Sequence, residues 1–238
     1  MPRLTDAEKS VLDGREGPLK RVALQFIVDY AEVMGAERLC DVTKAHLFAG
    51  AHHYIDACTS DDIDEVISEM LLCSTEKVSL DCFACYAQAD VGPTDPVRWQ
   101  QLGVSPERHD RNRVILEKYT KAGLYPAATC TPYLSGFLPR MGEHYVSTES
   151  HAVTLMNSLW GACANADGIE AAFCSAVCGK TPLWGNHIMS NRGGTHHFRV
   201  EFTPQNVMEW DLLGYVIGSR TPTHSTPVLS GDLGTPGM

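Results

Sequence analysis

The sequence predicts an α/β fold, layered, with strands alternating with helices. Three observations carry that expectation. Short apolar runs such as RLCDVT and KVSLDCFA alternate with longer stretches of helical periodicity. Glycine and proline stand at many of the junctions between them. The 238 residues, 44% apolar and 20% charged, suffice for one large domain or two small ones.

Thr5 can cap a first helix in LTDAEKSVLDG, with Glu8 three residues on as in a capping box, and Gly14 and Gly17 end it. Pro18 opens a second helix, in which Leu19, Val22, Leu24, Phe26, Ile27 and Met34 recur at near-helical spacing before Gly35. RLCDVT predicts a short buried strand. SDDIDEVISEMLL predicts a helix with Ile63, Val66, Ile67, Met70 and Leu71 on one side. KVSLDCFA reads as the next strand, VGPTDPVRW as a loop, and PERHDRNRVILEKYTKAG as a helix ending at Gly123. AATCTPYL is expected as a central strand turning at Pro132, with Cys130 at its carboxyl end, where open α/β sheets gather ligands. STESHAVTLMNSLWGA and DGIEAAFCSAVCG read as helices, FRVEF as a strand and QNVMEWDLLGYVIG as a last helix. Residues 1–219 form the folded body; residues 220–238 are Pro-rich, lack periodicity and are expected to trail as a tail.

Composition removes several function classes. A net charge of −10 and a pI near 5.4 argue against nucleic acid, whose phosphates need clustered Lys and Arg. No apolar stretch approaches ~18 residues, and MPRLTDAEKS lacks the apolar run of a signal peptide, so no membrane is expected. Nine cysteines without a secretory signal suggest reduced thiols and a cytoplasmic location. HExxH, GxSxG, P-loop and GxGxxG motifs are all absent from the sequence.

Cys82 and Cys85 form a CxxC that fits a redox pair, half a zinc site or plain core thiols, and core packing is the stronger reading. The only second pair at workable spacing is Cys174 and Cys178. The histidines, paired at His52–His53 and His196–His197 and otherwise single, read mostly as surface or hydrogen-bonded scaffold residues. Cys130 itself is either a small core residue or a metal ligand at a pocket mouth. Between Cys130 and Arg192, polar residues recur beside Gly and Pro in TCTPY, TES, MNS, CANADG, TPLWGNH and SNR. Asn157 and Ser158 interrupt an apolar helix, where they either bond neighbouring backbone or face a polar ligand; several such residues together favour a ligand pocket.

In order along the chain, TCTPYL, ESHAV, NSLWGA, Asn165, GKTPLWGNH and NR, with LTDAEKSVLDGREG and the AH at 45–46, resemble the motifs of the aconitase X family over about residues 4–219. The resemblance implies an aconitase-like domain of a hydro-lyase: a dehydratase of a small hydroxy acid such as cis-3-hydroxy-L-proline or phosphomevalonate. It implies that Cys130 is a ligand of an iron–sulfur cluster, that His187 and Glu149 are catalytic, and that His46, Ser150, Asn157, Ser158, Asn165 and Arg192 bind substrate. A small swivelling-domain subunit is the implied partner. SLDCFAC replaces the family's usual sequence after the second long strand, and Ala166 stands where an Arg is usual. The family's large subunit is longer, so the 238-residue chain alone is expected to be a poor dehydratase or inactive. A non-catalytic or partner-dependent paralogue is the alternative, as is a zinc or redox binding module using Cys82 and Cys85.

Overall fold

Thr5 starts the chain's first helix as its sequence dictates. In the computed structural model, which describes residues 1–47, 80–86, 95, 97–121 and 123–234, its hydroxyl accepts from the Glu8 N–H at 3.2 Å. The Glu8 carboxylate accepts from the Thr5 N–H at 2.7 Å, closing a capping box on α1 (Asp6–Leu12). Pro18 at the first position opens α2 (Pro18–Val33), which buries Leu19, Ala23, Leu24, Ile27, Val28 and Ala31 along one face. Then come β1 (Leu39–Asp41), β2 (Lys44–Leu47), β3 (Phe83–Tyr86), α3 (Pro106–Lys121) and β4 (Tyr145–Ser147). After them come α4 (Ser150–Ser158), α5 (Ile169–Cys178) and β5 (Lys180–Pro182). The helix expected over SDDIDEVISEMLL, the His52–His53 pair and most of the VGPTDPVRW loop lie outside the described residues.

These elements belong to the first of two units, Met1–His187 and Ile188–Met238. Its central sheet has the order β3-β2-β4, all parallel, with His46 facing Cys85 on one side and Ser147 on the other. Side chains alternate between faces along a strand. Ala45, Leu47, Ala84 and Val146 therefore join the core built with α2 and α5, while Cys85 and Tyr145 pack with Val153 and Met156 of α4 on the opposite face. The result is a helix–sheet–helix layering, the α/β class expected. Isolated parallel bridges from His144 to Cys163 and from Ser147 to Ala166 lay residues 163–166 along β4. β1 pairs antiparallel with β5.

The expected central strand over Ala127–Cys130 is corrected: the centre is β2, KAHL. Ala128 adopts φ +48°, a left-handed conformation that breaks extended backbone, and residues 129–130 bend. Only Tyr125 bridges the sheet, to Cys85. Pairing in KVSLDCFA begins at Phe83.

The second unit holds β6 (His196–Arg199), α6 (Val207–Arg220) and β7 (Pro227–Ser230), with β6 and β7 parallel. The strand expected over FRVEF thus begins two residues earlier and ends at Arg199. Asn206 caps α6, its Oδ1 accepting from the Glu209 N–H at 3.0 Å. The expected trailing tail is also corrected: Val200 N–H donates to Ser230 O at 2.8 Å, and Gly231 passes so close that a Cβ would stand 2.2 Å from Val200 O. Among the described residues no helix is long and apolar enough to cross a membrane.

Candidate active site at the strand ends

Parallel strands β2 and β4 end side by side, and their last polar residues share the face packed towards α4. His46 is wholly buried; its Nε2 lies 3.0 Å from Thr129 O and its Nδ1 lies 3.3 Å from Ser147 Oγ. A carbonyl only accepts, so Nε2 carries the proton and Nδ1 receives the Ser147 hydroxyl. Ser147 Oγ in turn accepts from the Glu149 N–H at 3.1 Å. Burial lowers the His46 pKa to about 4, which keeps the ring neutral in this relay. His46 therefore stitches the ends of β2 and β4 to the Thr129–Cys130 bend.

That bend presents a thiol. Thr129 Oγ1 accepts from the Thr131 N–H at 3.0 Å and contacts Thr131 Oγ1 at 2.9 Å, so the two threonines bracket Cys130 before the 3-10 turn Pro132–Ser135. The His151 Nε2–H donates to Cys130 O at 2.6 Å. Glu149 occupies the N-cap position of α4 yet makes no side-chain cap; its carboxylate instead lies beside the Cys130 thiol. Burial and that neighbouring charge push the thiol above its ordinary pKa. His151 Nδ1 stands 3.9 Å from Glu149 Oε2. A thiol, a carboxylate and an imidazole thus converge at the carboxyl ends of parallel strands, the usual ligand position of such sheets.

The remaining expected site residues divide. Ser150 is exposed in the first turn of α4, beside Glu149. Asn157 donates to Val153 O at 2.9 Å and Ala164 O at 2.8 Å, and accepts from the Ala164 N–H at 3.2 Å; Ser158 donates to Thr154 O at 2.7 Å. These two side chains bond backbone. Asn165 donates to Trp184 O at 3.1 Å and accepts from the Asn186 N–H at 2.8 Å, which requires Gly185: a Cβ there would stand 2.5 Å from Asn165 Oδ1. His187 meets His144, with their Nδ1 atoms 3.0 Å apart. His144 precedes β4, so this pair belongs to the other end of that strand, about 10 Å from Ser147 at ~3.3 Å per residue. Arg192 lies in the 3-10 turn Met189–Arg192 of the second unit. Sequence reasoning passed over Ser147, His151 and the Thr129–Thr131 bracket as site elements. The ESHAV motif held His151; nothing in periodicity marked Ser147.

The CxxC does not form a redox pair or half a metal site. Cys82 packs against the core of α2 and α5, donating to Ala176 O at 3.8 Å, whereas Cys85 is buried on the opposite face with Tyr145. Burial pushes both thiols up to about 12, which suits core residues. The iron–sulfur expectation meets a similar limit. A cluster takes three or four protein ligands, and of the described residues the strand-end site offers one thiol, Cys130. The described residues do not hold a cluster by themselves.

Comparison with known proteins places this geometry. The chain is 30% identical over 222 residues to the phosphomevalonate dehydratase large subunit of Methanocaldococcus jannaschii, covering 90% of this chain and 52% of that protein. It is 29% identical over 223 residues to the cis-3-hydroxy-L-proline dehydratase of Pseudomonas aeruginosa, covering 91% and 36% respectively. The crystal structure of Thermococcus kodakaraensis aconitase X in its holo-form superposes with a TM-score of 0.74 at 26% identity, over 95% of this chain and 54% of that one. The chain thus spans about half the length of the phosphomevalonate dehydratase subunits it matches. Residues 1–190 match the model of the aconitase X first domain, and the chain belongs to the aconitase X family.

Proposed function

We propose that this chain is one part of a hydro-lyase that eliminates water from a small hydroxy acid, with phosphomevalonate and cis-3-hydroxy-L-proline as candidate substrates. The convergence of Cys130, Glu149 and His151 at the ends of parallel strands carries the reading, in a chain whose relatives are named dehydratases. Elimination needs a base for the proton on the carbon next to the one bearing the hydroxyl, and a means of polarising that hydroxyl. Glu149 is the acid–base group on this chain. The first turn of α4, lacking a side-chain cap, offers its N–H groups to a substrate carboxylate or phosphate. Cys130 supplies one ligand to an iron–sulfur cluster completed from outside the described residues. A small subunit is the partner, since the archaeal relatives are named large subunits.

Among the described residues no three His, Cys, Asp or Glu ligand atoms gather at Cys130, which favours a second reading, a partner-dependent component without turnover of its own. Both are tested by assaying the chain alone and with the regions its relatives carry beyond the match. The complemented assembly should turn over one of the two substrates and the bare chain neither. In the active assembly, Glu149→Gln should lower kcat by ~10²–10⁴, the usual worth of a positioned acid–base group. No turnover with either substrate, or a Glu149→Gln rate above a tenth of the parent, would overturn the dehydratase proposal.

A further inference from the structure

We propose that Cys40, His144 and His187 form a binding site for one divalent transition-metal ion of borderline softness, with Zn²⁺ the best chemical match. The proposal stands apart from the dehydratase reading, because the cluster sits at the opposite end of β4 from Cys130. One ligand atom from each residue lies within 4.8 Å of the others, the single such group of His, Cys, Asp and Glu among the described residues. His144 and His187 present Nδ1 atoms 3.0 Å apart. Tetrahedral Zn²⁺, with bonds of ~2.0–2.1 Å to nitrogen and ~2.3 Å to sulfur, sets the nitrogens about 3.3 Å and each nitrogen and the sulfur about 3.6 Å apart. Sub-ångström opening of the imidazoles and a modest approach of the thiol reach that geometry.

Each ligand is held by a different element. Cys40 is the middle residue of β1, paired with Thr181. His144 leads into β4. His187 closes the turn Gly185–His187, which Asn165 ties down through the Asn186 N–H. Two imidazoles and a thiolate suit zinc-like ions over the harder Mg²⁺ and Ca²⁺. A cleft of about 430 Å³, lined by Arg3, Glu8, Arg38, Asp41 and Lys180 among others, has Cys40 in its wall. Three protein ligands leave the fourth position to water. The thiol now donates to Thr181 O at 3.6 Å, and burial, with Asp41 and Cys163 nearby, pushes its pKa up to about 12. A bound cation offsets that penalty by stabilising the thiolate. On binding, the thiol proton leaves to solvent. The histidine donating through Nδ1 shifts its proton to Nε2, so both rings ligate neutral and one proton is released per ion.

The test is titration of the purified, metal-stripped full chain with Co²⁺, followed by Zn²⁺. One equivalent of Co²⁺ should give a thiolate-to-cobalt charge-transfer band that Zn²⁺ abolishes, with one proton released. Cys40→Ser should remove the band and weaken Zn²⁺ binding by more than the ~10–100-fold typical of losing an outer-shell partner. His144→Gln serves the same purpose if circular dichroism shows Cys40→Ser unfolded. Cys130→Ser should leave the band unchanged. A parent chain without the band, a band surviving in Cys40→Ser and His144→Gln, or a band lost in folded Cys130→Ser would overturn the site.

Discussion

Replacing Asp167 with Asn should stabilise the chain at pH 8 and do much less at pH 5. Asp167 is 6% exposed; its Oδ1 accepts from Tyr30 O–H at 3.2 Å, and Oδ2 is buried with no hydrogen-bond partner among the described residues. Burial raises the carboxyl from its usual 3.8 to about 7, and the Tyr30 bond only partly opposes the rise. The folded state therefore holds this proton more tightly than the unfolded state. Stability falls as pH climbs from about 4 to 7 and stays reduced above that. At 1.36 kcal/mol per pH decade, the full penalty is at most about 4 kcal/mol, of which roughly 2–3 kcal/mol accrues between pH 5 and 8. Asn removes the charge and keeps the acceptor for Tyr30, but its amide N–H₂ replaces Oδ2 unpartnered, returning about 1–3 kcal/mol. The expected net gain at pH 8 is about 1–3 kcal/mol, read from urea unfolding of both proteins at the two pH values. An equal effect of the substitution at pH 5 and pH 8 would refute the reasoning.

Other substitutions test other joints. Asn157→Ala strands the Ala164 N–H, while the Ala164 C=O keeps the Asn186 side-chain amide at 3.2 Å, and should cost about 1–3 kcal/mol in urea unfolding, whereas exposed Ser158→Ala should stay within about 0.5 kcal/mol. Glu149→Gln removes the charge that holds the Cys130 thiol protonated, so alkylation of Cys130 at pH 8 should accelerate several-fold; mapping by mass spectrometry checks it, and slower labelling would contradict the contact. Thr5→Ala opens the capping box and should cost about 1 kcal/mol by thermal unfolding.

Helices with their own start and stop signals were legible in the sequence. Thr5 and Glu8 announce α1, Pro18 and Gly35 bracket α2, and the apolar run before Gly179 gives α5. The sheet was far less so. β2 is four residues long and buried on both faces, so no alternation marks it, and its buried His46 breaks the apolar run that a central strand normally shows. AATC has the apolar look of a strand, yet Ala128 takes a positive φ that composition does not reveal. At the site, the motif resemblance drew attention to Cys130 and Glu149, which the structure brings together. The polar pair Asn157–Ser158 reads in sequence as pocket lining, and only the bonds to Val153, Ala164 and Thr154 reveal a tie to backbone. Cys40, His144 and His187 are distant in sequence, so no spacing could have joined them.

The buried face of α2 has a consequence for synthesis. Leu24, Ile27, Val28 and Ala31 are covered by α5, whose residues are translated long after α2 is complete, and β2 gains its β4 neighbour only when residues 145–147 appear. At ~5–20 residues per second, α2 leaves the ribosome with an uncovered apolar stripe for roughly 7–30 s. Parallel pairing between such distant segments is intrinsically slow to form. The nascent chain is therefore a client for holding chaperones through most of its elongation, and a ribosome stalled before residue 169 displays a sticky amphipathic helix rather than a folded intermediate.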